Sequence, residues 1–549
     1  MLRAMMYRGL NALPLAAYRQ SASKFEAALR DPEDAQRRVL SELIRRNKGC
    51  AYGQRYEFSS IRSAEDYQRR IPVVAYDDVT AWVERAKCGE RNVLTSGPVV
   101  MFEKSSGSAS AAKYIPYTAG LRTEFQAALG PWITDLHLSF PQVASGPAYW
   151  LVTPLSRERE FTTGGIPVGF ESDAEYFGPV HRWLLRNILA VPDALARVNE
   201  LEDCLYLTMR FLLQARSLTF ISVWSPSFLP ILLNQMELHG ERLVRDLYEG
   251  QASLAGALPE GVTSALRRDA TQAENLRAML RRGRIEPGVL WPRLQLISCW
   301  TAAASAPLKK ELVRAFPGVA IQGKGLLATE GVVSIPLETY QGCVAAITSH
   351  FLEFLEPDSG ECRLVSGVEQ GREYSVVLTT GGGLWRYQLG DRVRVTGFAE
   401  RTPILEFVGK EDCVTDLRGE KLNALFVAKV FSELESCRSA RFAMLAPSSD
   451  EARYTLFLEG PRCQRDLATQ IDGKLRENPH YAYCRKLGQL GEIRVFHIER
   501  NAIETYLKHC ETLGQRAGNV KMTVLHKKTG WETVFTQQGA PQTQAEVCA

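Results

Sequence analysis

The chain changes texture after Tyr340 and again after Gly409, and that order constrains its fold more than any single motif. Before Tyr340, helical periodicity alternates with short apolar runs. Residues 14–50 read as helices, with Leu29, Val39, Leu40, Leu43 and Ile44 at helical spacing. Tyr76-Asp77-Asp78-Val79 opens a short helix toward Arg85, with Asp77 or Asp78 as its N-cap. Ala148–Thr153, Leu218–Trp224, Leu294–Trp300 and Val319–Gln322 read as buried strands. Helices are expected from about Ala119, over Phe228–Leu247, over Leu254–Arg282 with a break at Pro259-Glu260-Gly261, and around Leu308–Ala315.

After Tyr340, short β-rich runs recur at Cys343–Ile347, Phe351–Leu355, Glu373–Thr379, Arg392–Thr396 and Ile404–Val408, punctuated by Gly and Pro. After Gly409 the order becomes helix 424–434, strand 454–459, helix 465–477, strand 493–498 and helix 502–512. The fold class is therefore α/β. A large N-terminal domain of α/β units with a β subdomain is expected over residues 1–408, and a small α+β C-terminal domain over 409–549. Gly409-Lys410 is the candidate hinge.

Composition excludes several classes. The net charge is +4, from 66 basic and 62 acidic residues, and the local arginine clusters fit helix faces better than a nucleic-acid surface. Twelve cysteines are scattered without a CxxC pair, which argues against a zinc site or a disulfide framework and for a reducing compartment. Met1–Arg19 resembles an amphipathic helix more than a signal peptide, and no apolar window suffices to span a membrane. A cytoplasmic, soluble protein is expected.

Chemistry concentrates in a few segments. Phe102-Glu-Lys-Ser105-Ser106-Gly107-Ser108-Ala-Ser110-Ala-Ala-Lys113 sets hydroxyls, backbone N–H groups and a cation where polyphosphate oxygens could sit. The GK[ST] ending of a Walker A loop is absent, so a nucleotide loop of another kind competes with an ordinary surface loop. In Leu326-Leu327-Ala328-Thr329-Glu330-Gly331 the carboxylate is either a Mg²⁺ ligand or a helix cap. In Trp385-Arg386-Tyr387-Gln388-Leu389-Gly390-Asp391, Asp391 either grips a diol or turns a hairpin. Lys421, after Gly419-Glu420, and Lys521, after Gly518-Asn519-Val520, are loop lysines. Phe125, Leu129 and Trp132 recur at i, i+4 and i+7, so that face is either a core stripe or, with Trp224, the wall of an apolar pocket. GxSxG, HExxH and strand-borne GxGxxG motifs are absent.

In this order the segments resemble the acyl acid amido synthetases of the Gretchen Hagen three type, in their bacterial form, within the adenylate-forming superfamily. The likeness also includes Arg70-Ile-Pro-Val-Val-Ala-Tyr-Asp-Asp78 and Val223-Trp224-Ser-Pro-Ser-Phe228, and it covers about residues 30–425. The chain departs from the pattern at Ala109, at Ala111-Ala112, at Leu327-Ala328 where many relatives have an aromatic, and at Met522-Thr523.

The resemblance implies a luciferase-like fold and an ATP- and Mg²⁺-dependent ligase that adenylates a carboxylic acid and passes the acyl group to an amine or amino acid. Ser105, Ser106, Gly107 and Ser108 would hold the phosphates. Thr329, Glu330, Gly331, Tyr387, Asp391 and Phe407 would meet the nucleotide, with Glu330 on the metal and Asp391 on the ribose. Lys421 and Lys521 would offset charge at the reacting centre, and Leu129, Trp132 and Trp224 would line the acyl pocket. Transfer to a thiol (coenzyme A or a carrier protein) and nucleotide or acid binding without turnover are the alternatives. No nucleic-acid or membrane partner is expected, and a monomer is the simpler expectation.

Overall fold

The computed structural model describes the chain except residues 1, 106–112, 152–159, 170–186, 199, 255, 303–305, 412–413, 450, 461–465, 514, 516–519 and 538–549. The described residues form two compact units, a large one of residues 2–105, 113–302 and 311–408 and a small one that takes 306–310 together with the described residues from Gly409 on.

A four-stranded parallel sheet lies at the centre of one half of the large unit. Its strands are β1 (Ala148–Trp150), β2 (Phe220–Ser222), β3 (Leu296–Cys299) and β4 (Ala320–Gly323), adjacent in chain order. Parallel neighbours need long crossovers, and helices Leu201–Gln214, Phe228–Leu238, Gly240–Glu249 and Ala270–Arg282 occupy them. Leu207, Leu213, Met236, Leu247 and Leu276 are fully buried in the resulting core. The expected helix over 228–247 breaks at His239 and restarts at Gly240. A Cβ at Gly240 would lie 2.6 Å from the end of the Leu280 side chain, so the Gly240–Glu249 and Ala270–Arg282 helices pack closely there. The expected helix over 254–282 is likewise reduced, to Glu260–Thr263 and Ala270–Arg282, and Asp269 caps the second by accepting from the Gln272 N–H. The Tyr76–Lys87 helix has Ala75 as its N-cap; Asp78 acts from inside the first turn, accepting from the Ala75 N–H.

The Ala119–Ser139 helix packs one side into a second core, which also takes Phe25 from the N-terminal helix Leu2–Ala28 and Leu29 just past its end. The other wall of that core is a seven-stranded sheet whose order is Cys362–Leu364, Phe351–Leu355, Glu373–Thr379, Tyr387–Ala399, Thr402–Lys410, Gly342–Ala345 and Ser334–Leu337. These strands account for the β-rich texture after Tyr340. Arg386, held at φ +46, is fastened beneath this sheet. Its guanidinium makes a buried pair with Glu353 at 2.9 Å and donates to the carbonyls of Gln68 and Ile71.

In the small unit, Phe442–Pro447 and Tyr454–Glu459 form an antiparallel pair, and Arg494–His497 lies parallel to the latter. The 442–447 strand and the Pro479–Lys486 helix were not expected from sequence. Phe-Ala-Met-Leu-Ala-Pro is poor in β-branched residues, so pairing partners rather than propensity make it a strand. The helix did carry a signal, since Asn478 caps it from the residue before a first-turn proline.

Candidate functional site

Backbone geometry first decides where the Thr329-Glu330-Gly331 segment points. Ala328 and Gly331 exchange both backbone hydrogen bonds, at 2.9 and 3.3 Å, so Thr329 and Glu330 occupy the corners of a two-residue turn. Further back the arms are held by a Leu327–Val332 bridge and the Val333 N–H donating to Leu326. The Tyr117 hydroxyl donates to the Thr329 carbonyl at 2.6 Å. Glu330, although at a turn tip, is only 7% exposed. Behind the turn, Gly331 lies flat on the His350 ring; a Cβ there would sit 3.0 Å from Nε2. His350 is itself fixed by Glu124, whose carboxylate meets Nδ1 at 2.8 Å and accepts from the Gly381 N–H. The His350 Nε2 is buried without a hydrogen-bond partner among the described residues.

Around this turn the structure assembles a ring of phenols and one lysine. A parallel bridge joins Val74 to Tyr387, with the Val74 N–H donating to Arg386 and the Gln388 N–H to Val74. That bridge brings Tyr76 and Tyr387 toward each other. Lys113 Nζ donates to the Tyr387 hydroxyl at 3.4 Å and stands 5.8 Å from the Tyr76 ring centre. The Tyr76 phenol is pushed above its ordinary pKa, chiefly by burial, with the Glu330 charge among the smaller causes. Asp391 is buried on the same strand as Tyr387. Between Gln388 and Arg392 the pairing with 373–379 slips, and Gly390 takes φ +78. A bulge of this kind re-aims a strand residue, and here it turns Asp391. Ser105 pairs with Lys113 at the ends of two antiparallel strands. Ser106, Gly107 and Ser108 lie outside the described residues.

A second cluster lies at the carboxyl ends of the parallel strands. Trp150, Ser222, Ser298 and Gln322 are in register across β1–β4 and therefore project on one face. Two residues further on, Trp224, Trp300 and Lys324 continue that register, with the Trp300 N–H donating to Trp224 and the Lys324 N–H to Cys299. Trp132 closes the face from the 119–139 helix, its indole N–H donating to Gln322 at 3.0 Å. Lys324 Nζ stands 5.2 Å from the Trp132 ring and 5.1 Å from the Trp224 ring, and it donates to the Ser222 hydroxyl at 2.9 Å. Phe407 packs edge-on against Trp300 at 5.1 Å. The structure thus unites Trp132 and Trp224, whereas Leu129 is buried in the large core. Behind Trp132, an apolar cavity of about 70 Å³ is lined by Tyr18, Leu136, Val143, Trp150 and Phe220.

Sequence reading missed Lys324, Ser222, Ser298 and Trp300. A signal was present: Ser-x-Trp occurs at the ends of two neighbouring strands, as Ser222-Val-Trp224 and Ser298-Cys-Trp300.

In the small unit, Lys421 is exposed and held at φ +44. The residue before it does the holding. Glu420 is fully buried, and its carboxylate accepts from the Leu417 and Arg418 N–H groups at 2.7 Å and from the Tyr454 hydroxyl. Lys521 is exposed at the start of a segment pinned to the 442–447 strand through the Leu445 N–H to Val524 and the His526 N–H to Leu445.

Residues 21–321 match the GH3 family N-terminal domain, 343–410 the GH3 family central domain and 423–529 the GH3 family C-terminal domain. The chain belongs to the GH3 family. Among curated GH3 proteins it is similar to the indole-3-acetic acid-amido synthetase GH3.2 of Arabidopsis thaliana, 24% identical over 73% of this chain and 78% of that one. It is also similar to a probable indole-3-acetic acid-amido synthetase, GH3.12 of Oryza sativa subsp. japonica, 23% identical over 91% of this chain and 92% of the other. Of solved GH3 structures, the AtGH3.15 acyl acid amido synthetase in complex with 2,4-DB superposes with a TM-score of 0.81 at 17% identity, covering 95% of this chain and 96% of that one. A 2-hydroxyisobutyryl-CoA ligase in its postadenylation state superposes at 0.52 and 12% identity, over 94% of this chain and 92% of the ligase. The fold is therefore that of the adenylate-forming enzymes. Among the described residues no helix is long and apolar enough to cross a membrane.

Proposed function

We propose that this GH3 protein is an ATP-dependent, AMP-forming ligase that activates a small carboxylic acid as its acyl-adenylate and passes the acyl group to an amine or amino acid. The observation that carries this reading is the run of three GH3 domains, in order, along the chain. The geometry of the large unit fits it. A buried carboxylate at a turn tip, a lysine and two phenols are the donors that a metal–triphosphate and its nucleoside require.

A carboxylate attacking a triphosphate meets like charge, so the site must supply cations and alignment. Lys113 would meet phosphate oxygens beside Tyr387. Ser105, Ser106, Gly107 and Ser108 would offer hydroxyls and N–H groups to the β and γ phosphates. Glu330 would hold Mg²⁺, which when bound screens the phosphate oxygens and stabilises charge passing to pyrophosphate. Thr329 and Gly331 would fix the approach to that carboxylate. Asp391 would accept from the ribose hydroxyls, with Phe407 and Tyr387 packing near the nucleotide. Lys421 would offset charge at the reacting centre during adenylation. In the second half-reaction the amine needs only positioning and loss of a proton, because the mixed anhydride is already activated. Gly409-Lys410 would be the pivot on which the small unit presents Lys421 and Lys521 in turn.

A pyrophosphate-release screen over carboxylic acids, followed by product mass spectrometry with pooled amino acids, amines and thiols, tests the reading. Acid-dependent pyrophosphate and amide products are expected. Thioester products would redirect it to a thiol acceptor, and ATP binding without pyrophosphate release from any acid would end it.

A further inference from the structure

Lys324 sits at the base of the hairpin whose tip carries Thr329 and Glu330. Thr329 lies five residues beyond Lys324 along the hairpin arm, a reach of up to about 17 Å at ~3.3 Å per residue. On the reading above, the carboxylate that is activated lies at the tip, beside the nucleotide. Lys324 is therefore placed for the far end of the acid.

The chemistry at that end is polar in an otherwise aromatic box. Lys324 is 8% exposed and faces the Trp132 and Trp224 rings, a setting that favours a cation. An ammonium has three donors and no acceptor. Ser222 accepts from Nζ, which leaves its own hydroxyl hydrogen to donate. Ser298, one strand away and in register with Ser222, is fully buried, and its hydroxyl meets no hydrogen-bond partner among the described residues. A buried hydroxyl without a partner is uncommon and calls for one. Three donors thus share one face at the sheet's carboxyl edge, where ligands of parallel α/β sheets bind.

We infer that Lys324, Ser222 and Ser298 form an oxygen-binding subsite, so that the preferred acid has an aromatic or apolar body and a second oxygen (hydroxyl, carbonyl or carboxylate) at the end remote from the carboxylate being activated. These residues determine specificity and touch no reacting atom. The subsite deepens the ligase reading and rests on it.

The test is acid-dependent ATP–pyrophosphate exchange with matched probes: 3-phenylpropanoate against its 4-hydroxy and 4-carboxy analogues, run beside a broad acid panel. The wild type should favour an oxygenated member by roughly tenfold to a hundredfold in kcat/KM, the range of a charge-assisted hydrogen bond. Lys324→Met should bring that ratio close to one through KM while exchange with the plain acid persists, and Lys324→Arg should restore part of it. Ser298→Ala should lower the ratio severalfold without lowering the melting temperature, since it removes a hydroxyl that has no partner in the ligand-free fold. A purely structural role would lower turnover of all probes alike. Equal handling of the paired acids by the wild type, or equal losses on both in Lys324→Met and Ser298→Ala, overturns the inference and leaves the ligase reading standing. Absence of exchange with every acid in the panel overturns the ligase reading and this inference with it.

Discussion

Two turns, one in each unit, carry opposite charges and are built in opposite ways. The Thr329–Glu330 turn hides its carboxylate and is fixed from outside, by the Ala328–Gly331 exchange, the Tyr117 hydroxyl and the His350 ring behind Gly331. The Asp416–Lys421 turn exposes its ammonium and is fixed from within, by Glu420 accepting from two backbone N–H groups and Tyr454. A carboxylate buried at a turn tip beside phenols can supply a ligand to a metal ion. An exposed cation on a rigid stalk is prepared to be presented to something else. The difference teaches that the large unit holds its charge in place, whereas the small unit holds the backbone and leaves the charge outside.

The largest effect should come from neutralising the hidden charge. Glu330→Gln should lower ATP–pyrophosphate exchange on the order of a hundredfold to a thousandfold, as removal of one preorganised electrostatic contact does. Raising the Mg²⁺ concentration should recover part of the loss. A drop of less than about fivefold, in a protein that melts like the wild type, would place the metal elsewhere and dissolve the contrast.

Much of this arrangement was legible in the sequence. The α/β units, the β-rich stretch after Tyr340 and the helices at 119 and 502 follow from apolar period and turn residues. Thr329, Glu330, Tyr387 and Asp391 could be proposed from sequence because they sit in motifs. Lys324 and Ser298 were not, because a strand's local pattern does not say which strand lies beside it. Only the β2–β3–β4 register aligns Ser222, Ser298 and Gln322. His350 and Glu124 escaped for the same reason, being 226 residues apart in the chain. Nothing in the local sequence marks Glu420 as buried, because its hydrogen-bond partner Tyr454 lies 34 residues later.

The second lysine of the small unit sharpens the comparison through pH. Its segment is tied down at His526, whose Nδ1 accepts from the Trp531 indole N–H at 3.0 Å and the Lys528 N–H at 3.1 Å. Burial depresses the His526 pKa to about 4, and the charges of Lys528 and His509 also oppose protonation. The unfolded chain takes up that proton first, so this contribution is complete above the ordinary histidine pKa near 6.5 and fades as pH falls toward 4. Its full size is about 3 kcal/mol. Glu511 opposes it: burial raises its carboxyl to about 7, so stability declines as pH rises through that range. Glu511→Gln should therefore unmask a gain of about 2 kcal/mol between about pH 4.5 and 6.5 in denaturant titrations of the small unit's transition. A flat profile would mean that His526 does not fasten the Lys521 segment.

Glu420→Gln tests the stalk beneath Lys421. The amide keeps one acceptor, but its NH₂ would face a backbone N–H, so about 2 kcal/mol of stability should be lost. Thermal melts of Glu420→Ala and Tyr454→Phe, alone and together, should be non-additive because both remove the Tyr454–Glu420 hydrogen bond. Additive losses would show that the phenol and the carboxylate act separately.

The smallest effect isolates backbone from charge. Lys421 holds φ +44, a conformation that costs a side-chain-bearing residue of order 1 kcal/mol and costs glycine little. Lys421→Gly and Lys421→Ala both delete the ammonium, so both should lower pyrophosphate exchange to a similar degree. They should differ in the melt: the glycine variant should exceed the alanine variant by about 1 kcal/mol despite glycine's more flexible unfolded chain. If the alanine variant proves equal or more stable, Glu420 does not impose the left-handed turn, and Lys421 is an ordinary surface lysine. If stability splits as expected while exchange falls equally in both, then the strained backbone positions the charge and the charge alone acts, which is the sense in which the small unit's turn complements the buried carboxylate of the large one.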